Sequence, residues 1–515
     1  MTSEKSKSMC GIVGGVLSRT KAEQCLNRLH RGNDGTRVVE WNQYGVSLGF
    51  MRHAIIAPND SDSMQPIVLN EGKTALVMNG EIFNYEQLKT TLVDEGFTFK
   101  SEGDAEVLLN LYQSKDDRFC DELDSMFAAA IFDESKGYPR ILIFRDWIGE
   151  EPLHYIYNQE KRQFVFASEI KGFLDLEDCQ IDDVRALEPG TIFEVNLSDF
   201  TSRQWKYYKL QTNQSKFTYQ SASSIGLELR KKLERSARER IISDVPVCCL
   251  LSGGIDSTIT TYLTNKILEK QGRRLTLYTF HIQEEPIVAG TDLYHARIAA
   301  KSLGLEENLI EVHISIKDAI ESLPEVIYAL EDKRLKDFNI YPAIYNYFLA
   351  KRIAQDGFKV VFNGEGSDEL HGSYGSWGSF DISPEEITQP ELRLKMTDNL
   401  HKGVLMRTSK VMMFAGPVEM RTFFLSRNVA EFILNIPPQY LRQGDVWKMP
   451  LVEAFKDVIP DEILRRPKAR PQDSTGIMAL KPLIEERYKN YGDDDQEIFK
   501  NIFHQLFITK ELRLP

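Results

Sequence analysis

The chain is 515 residues long, 42% apolar, 27% charged and 10% aromatic, which excludes collagen, a coiled-coil rod and global disorder. At about 150 residues per domain the length suggests roughly three domains, and two large ones fit as well. Lys and Arg number 63 against 76 Asp and Glu, a net charge of −13; this disfavours a general nucleic-acid binder but leaves room for a local basic pocket holding a small anion.

Residues 10–200 carry short β-branched and apolar runs separated by turn residues, at 11–16, 46–50, 74–78, 128–132, 141–144 and 163–167. Helical periodicity interrupts them at 85–95 and 106–113. Together these predict an antiparallel α+β layer arrangement. Residues 200–220 are polar and aperiodic, a predicted connector. The pattern then changes. A helix over 223–241 leads into a strand over 247–251, a Gly-rich turn and a helix over 258–270. A strand at 276–282, a helix at 294–303, a short strand at 309–313 and a further strand at 359–362 follow. Such alternation predicts a doubly wound parallel sheet. Beyond about 375 the chain reads as mainly helical, with a basic patch at Arg465, Arg466, Lys468 and Arg470.

Six cysteines make no disulfide framework and suit a reducing compartment. Cys248 and Cys249 stand in an apolar run and read as buried packing. No stretch of about 18 apolar residues predicts a membrane span, and the polar opening MTSEKSKS has no apolar core of a secretory signal. A cytoplasmic protein without membrane or nucleic-acid partners is expected; its oligomeric state, a homodimer included, is left open.

Three stretches carry chemistry. The first is Leu250-Leu-Ser-Gly-Gly-Ile-Asp-Ser257, between a predicted strand and a predicted helix. Gly253 and Gly254 let the backbone approach an anion closely. Amide groups and the helix start then face phosphate oxygens, and Ser252 and Ser257 add hydroxyl donors. Asp256 is out of place beside phosphates unless it shares Mg²⁺ with them. No lysine follows, so this is not a Gly-Lys-Ser/Thr phosphate loop. The string resembles the pyrophosphate loop of ATP pyrophosphatases. The second stretch is Asn363-Gly-Glu-Gly-Ser-Asp-Glu-Leu-His-Gly372. It follows a strand and belongs at the carboxyl edge of the sheet, where ligands bind. Its acids suit a metal and a substrate amine, with Glu365 near the pyrophosphate. The third is Met9-Cys-Gly-Ile-Val-Gly-Gly15. A hydrolytic nucleophile needs an oxyanion site and substrate clamps: Asn79 and the Gly80 amide suit the oxyanion, Arg52 a carboxylate, and Asp104 an ammonium group.

With these stretches in hand, residues 9–485 resemble the glutamine-hydrolysing asparagine synthetases. Further marks are His30-Arg-Gly32, Asn79-Gly-Glu81, Arg145-Asp146 with Gly149 and Pro152-Leu153, Ser168-Glu-Ile-Lys171, Pro189-Gly190, Glu419-Met-Arg421 and Lys468. The resemblance implies a class II glutamine amidotransferase domain over 9–200, an antiparallel sandwich of the amino-terminal-nucleophile type. An ATP-pyrophosphatase synthetase domain over 221–515 then follows, its parallel sheet continued by a helical carboxyl-terminal part. It implies that Cys10 attacks glutamine, with its own α-amine as base and Arg52, Asn79, Glu81 and Asp104 around the substrate. ATP would lie on Leu250, Ser252, Gly253, Gly254, Asp256, Ser257, Phe280 and Gly364. Asp368 and Glu369 would meet the acceptor, Asp256 and Asp368 the Mg²⁺, and Glu365 and Lys468 would act on the departing pyrophosphate.

Four departures accompany the resemblance. Cys10 is preceded by Met1–Met9, which would block its α-amine; translation starting at Met9, removal of the leader and a silent glutaminase are the alternatives, and the first is expected. The family's Glu-x-Arg-x-Pro-Phe-Leu-Asp reads Glu419-Met-Arg-Thr-Phe-Phe-Leu-Ser426. Its Phe-Gly-Gly-Tyr reads His371-Gly-Ser-Tyr374, with His371 a loop histidine on the plain reading. The turn Arg145-Asp-Trp-Ile-Gly-Glu-Glu-Pro152 carries unusual acids. Aspartate is the leading acceptor. Amidation of another carboxylate, a β-lactam-synthetase-like ring closure and a silent binding protein are the competing readings.

Overall fold

The computed structural model describes residues 10–32, 34–213, 217–219, 221–335, 337–374, 383–469, 474–512 and 514, with only the backbone of Asp337 and Phe338. Met1–Met9 and Arg470 lie outside the described residues. The chain divides into two compact units: one runs to Lys209 and takes back the chain from Phe503, and the other is Leu210–Ile502.

In chain order the first unit holds β1 (Gly11–Val16), α1 (Arg19–Arg28), β2 (Thr36–Trp41), β3 (Val46–Met51), β4 (Ile67–Leu69), β5 (Thr74–Ile82), α2 (Tyr85–Asp94), α3 (Asp104–Lys115), β6 (Ser125–Asp133), β7 (Arg140–Arg145), β8 (His154–Asn158), β9 (Gln163–Ala167), β10 (Arg185–Ala186), β11 (Thr191–Asn196) and β12 (Ser202–Lys206). They form two six-stranded sheets, ordered β10-β8-β9-β1-β3-β2 and β12-β11-β7-β6-β5-β4. Ile12, Leu48 and Phe50 of one sheet pack with Val77, Ala128, Ala130 and Ile143 of the other, the interior of a sandwich. The outward side chains Met78, Phe127, Ala129 and Phe144 pack with Val107, Leu108 and Leu111 of α3. Both faces of β6 are therefore covered, and all its residues are buried, where a half-buried strand would alternate. The polar segment expected as connector is partly a strand: β12 pairs with β11, Ile192 opposite Trp205.

In the second unit come α4 (Ala222–Arg240), β13 (Val247–Leu250), α5 (Ile255–Lys270), β14 (Thr276–Ile282), α6 (Asp292–Ser302), β15 (Leu309–Ile314), α7 (Ile316–Glu321), α8 (Leu323–Leu330), α9 (Asp337–Gln355), β16 (Val360–Asn363), α10 (Ser367–His371) and β17 (Glu419–Thr422). The sheet order is β15-β14-β13-β16-β17, all neighbours parallel. The winding reverses between β13 and β16, so the loops after these two strands flank the crevice where doubly wound sheets bind ligands. The region after 375 is not purely helical: Glu419-Met-Arg421 opens the edge strand β17. Cys248 and Cys249 are fully buried in β13. Among the described residues no helix is long and apolar enough to cross a membrane.

Candidate active sites

Cys10 stands immediately before β1, and its Sγ accepts from the His53 backbone N–H at 3.4 Å. It opens on a cleft of the first unit enclosing about 430 Å³ of empty volume, lined also by Arg52, Gly80, Glu81 and Asp104. Each wall residue has a local reason for its place. Gly80 adopts φ +123°, and a Cβ there would lie 2.0 Å from the Met126 carbonyl oxygen, so only glycine leaves the β5 backbone in this position. Asp104 opens α3, and its Oδ2 accepts from Ile82 N–H at 2.8 Å. Arg52 donates to the carbonyls of Asp60 at 3.0 Å and Ala57 at 2.6 Å, which fixes its fork at the cleft. Asn79 does not reach the wall. It is fully buried on β5, and its Nδ2 donates to Glu151, a residue that sequence reasoning marked as unusual without assigning it a partner.

The second cleft is larger, about 1400 Å³ of empty volume, and holds Leu250, Ser252, Gly254, Asp256, Ser257, Phe280, Gly364, Glu365, Asp368 and Lys468 on its wall. Gly253 and Glu369 lie behind this second wall. Gly253, at φ +70°, passes so close to α6 that a Cβ would meet the His295 carbonyl carbon at 2.2 Å. The loop closes on itself: Ser257 Oγ lies 3.0 Å from Ser252 Oγ and accepts from the Ser252 N–H at 3.2 Å. Arg466 reaches in from the basic patch to donate to the Ser252 carbonyl at 3.0 Å and pairs with Asp292 at 3.0 Å. The loop after β16 touches the loop after β13, since a Cβ on Gly364 would lie 2.6 Å from that of Asp256.

Sequence reasoning gave Asp256 one natural partner, a metal. The structure supplies another, Lys448. Its Nζ lies 2.5 Å from Asp256 and 2.6 Å from Asp368, while Lys468 lies 2.7 Å from the other oxygen of Asp368. Ser367 Oγ donates to Asp256 at 2.6 Å. Burial opposes charge on Asp368, yet the two ammonium groups outweigh it and hold its carboxyl far below the usual range. Against burial, the carboxylates of Asp368, Asp256 and Glu365 raise the pKa of Lys468. Glu365 is pushed up by burial, with Arg407 and Lys468 in opposition. Glu369 is raised to about 7 by burial and by Asp368 beside it, and the Tyr374 hydroxyl donates to it. His371 is no loop histidine: it ends α10 fully buried, its pKa lowered to about 3 by burial and by Lys448. Nothing local could have announced Lys448, which stands 192 residues from Asp256.

Asp256 and Asp368 are hard oxygen donors that fit Mg²⁺ when triphosphate oxygens complete the set. Among the described residues no group of three His, Cys, Asp or Glu could hold a cation by itself. Asp256 and Asp368 would hold such an ion only together with oxygens of a bound nucleotide.

A glutamine amidotransferase domain model matches residues 9–204, and an asparagine synthase model matches residues 228–389 and 381–513. Asparagine synthetase B [glutamine-hydrolyzing] of Escherichia coli K12 is 28% identical, covering 97% of this chain and 91% of its own length. A probable asparagine synthetase [glutamine-hydrolyzing] of Dictyostelium discoideum is 29% identical over 95% of this chain and 88% of its own. The Lotus japonicus asparagine synthetase [glutamine-hydrolyzing] 1 is 29% identical over 98% and 84%. The chain belongs to the asparagine synthase family.

Proposed function

We propose that the chain is an ATP-dependent asparagine synthetase that takes its nitrogen from glutamine. The observation that carries this reading is the pairing, in one chain, of a cleft that gathers Cys10, Arg52, Glu81 and Asp104 with a Gly-rich loop faced by two lysines. The names of these relatives support glutamine hydrolysis as the nitrogen source and asparagine as the product.

In the first unit the Cys10 sulfur attacks the glutamine amide carbon. Ammonia leaves, and water releases glutamate from the thioester. The Gly80 N–H serves the oxyanion, Arg52 the α-carboxylate, and Asp104 with Glu81 the α-ammonium group. In the second unit an aspartate β-carboxylate oxygen attacks the α-phosphorus of ATP and pyrophosphate departs. Ammonia then attacks the acyl carbon, AMP leaves, and asparagine remains. Glutamine, water, aspartate and ATP thus become glutamate, asparagine, AMP and pyrophosphate.

Ser252, Gly254 and Ser257 bind the pyrophosphate, and Leu250, Phe280 and Gly364 line the nucleotide pocket. Lys468 and Lys448 take up the charge that develops on the leaving group. Glu365 lies near the departing pyrophosphate, and Asp368, with Glu369 behind it, meets the acceptor amine. Asp256 and Asp368 would hold Mg²⁺, which supplies charge neutralisation between the phosphates. The cytoplasm is the proposed compartment.

The test is AMP and pyrophosphate release with ammonium as nitrogen donor against a panel of amino acids and other carboxylates. Aspartate is expected to give the highest kcat/KM and to yield asparagine. Release with another carboxylate but not with aspartate would reassign the acceptor, and no AMP with any of them would remove the synthetase reading.

A further inference from the structure

The turn after β7 carries three acids, Asp146, Glu150 and Glu151, and the last of them reaches the Asn79 amide. We propose that Glu151 is a positioning residue for the glutaminase reaction, holding the Asn79 amide and, through Arg31, the Cys10 backbone behind the cleft wall. This rests on the proposed glutaminase reading of Cys10.

The argument begins with the register. Asn79 on β5 stands opposite Ala128 on β6, and Ala128 stands opposite Arg145, the last residue of β7. The chain leaving Arg145 therefore starts two strands from Asn79 and must turn to reach it. Asp146 enforces that turn: its Oδ1 accepts from the N–H groups of Ile148 at 3.1 Å, Gly149 at 2.6 Å and Glu150 at 3.0 Å, and its Oδ2 from that of Glu151 at 3.2 Å. Arg145 closes the turn from the other side, donating to the carbonyls of Gly149 at 2.8 Å and of Glu151. Gly149 has φ +76°. Residue 151 is thus fixed by its backbone before its side chain is considered.

That side chain is 2% exposed and lies 3.7 Å from the Arg31 guanidinium. Its Oε2 accepts from Asn79 Nδ2 at 2.5 Å. An asparagine amide has the same shape in two orientations differing by a half-turn, and only its partners choose between them. A carboxylate accepts and cannot donate, so Glu151 admits the orientation with Nδ2 towards it. The cost of that choice is visible: Asn79 Oδ1 is buried with no hydrogen-bond partner among the described residues, a loss of about 1–3 kcal/mol. The charge-assisted bond from Nδ2 outweighs it. Arg31 extends the same network to the nucleophile, since its Nη1 also donates to the Cys10 carbonyl at 3.3 Å. The residue bearing the thiol and the amide of Asn79 are therefore tied through Arg31 and Glu151.

The test is steady-state glutaminase kinetics of the full chain, with ammonium-dependent asparagine formation as the control. Glu151→Gln keeps an acceptor for Asn79 and is expected to retain kcat within about threefold. Glu151→Ala should lower kcat at least tenfold with KM for glutamine within about threefold, and the ammonium-dependent rate should hold. Asn79→Ala alone should cost at least as much, and in the Asn79→Ala background Glu151→Ala should add less than twofold. Additive losses, equal losses in Glu151→Gln and Glu151→Ala, or a parallel fall in the ammonium-dependent rate would overturn the proposal in favour of a purely structural Glu151. Full glutaminase activity in Glu151→Ala would overturn it too, with the function reading intact. A wild-type chain without glutaminase activity would overturn both.

Discussion

Lys448 sits where two carboxylates would otherwise repel. Asp256 and Asp368 share its ammonium group, the lysine side chain is 3% exposed, and its backbone takes φ 55°. Removing one partner of a buried charge group costs about 3–5 kcal/mol, because the others are left uncompensated. Lys448→Met should therefore lower AMP formation at least a hundredfold with ammonium as donor, while glutamine hydrolysis stays within about twofold. AMP formation within threefold of wild type would mean that Lys468 alone suffices. Glu369 gives a second test. Its carboxyl is raised to about 7 from an ordinary value of 4.5, so the fold favours the protonated form. That contribution to stability is fully present below about pH 4.5 and is lost as the pH rises through 7. Glu369→Gln cannot ionise. The stability of wild type relative to this variant should fall by about 2–3 kcal/mol between pH 4.5 and 7.5, read from urea midpoints at the two pH values. A constant difference would place the Glu369 carboxyl at its ordinary value.

Elements differ in how much of them could be read from composition alone. β14 is bounded by the sequence as the structure bounds it, and β1 likewise. α1 escaped notice: only Ala22, Cys25 and Leu26 of its ten residues are buried, too few to set a period. β12 escaped for another reason, being an exposed edge strand of polar residues, specified by its partner β11 rather than by itself. Arg393 shows what tertiary contact adds to the helices after β16. It is fully buried, and its donors go to the carbonyls of Thr388 at 2.9 Å, Leu370 at 3.1 Å, Ile433 at 2.9 Å, Leu434 at 3.1 Å and Ile436 at 2.8 Å. It thereby caps the end of α10 and of the helix Arg427–Asn435. Arg393→Met leaves these carbonyls unpaired in the interior and should cost about 3–5 kcal/mol of stability in urea unfolding. A loss under about 1 kcal/mol would show that other donors replace the guanidinium.

At the scale of the molecule the two chemistries occupy separate compact units, and this much follows from the sequence, where the period changes from strand runs to strand–helix alternation near residue 221. That the chain from Phe503 returns to the first unit was not legible: an apolar stripe such as Phe503, Leu506 and Phe507, all buried, announces a covered face but not what covers it. Separation of the units makes a prediction that neither cleft makes alone. The phosphate loop, Lys448 and Lys468 all belong to the second unit, so adenylation of the acceptor is expected not to need the thiol. Cys10→Ala should abolish glutamine-dependent asparagine formation, by a thousandfold or more given a nucleophile's usual share of catalysis. It should leave the ammonium-dependent rate within about twofold. The substitution is small and Cys10 is only half-buried, so the first unit should keep its stability, which thermal unfolding checks. Equal loss with both nitrogen donors in a folded variant would make Cys10 a structural residue at the head of β1. Loss with glutamine alone would place bond cleavage at its sulfur and leave ammonia as the species that joins the two reactions.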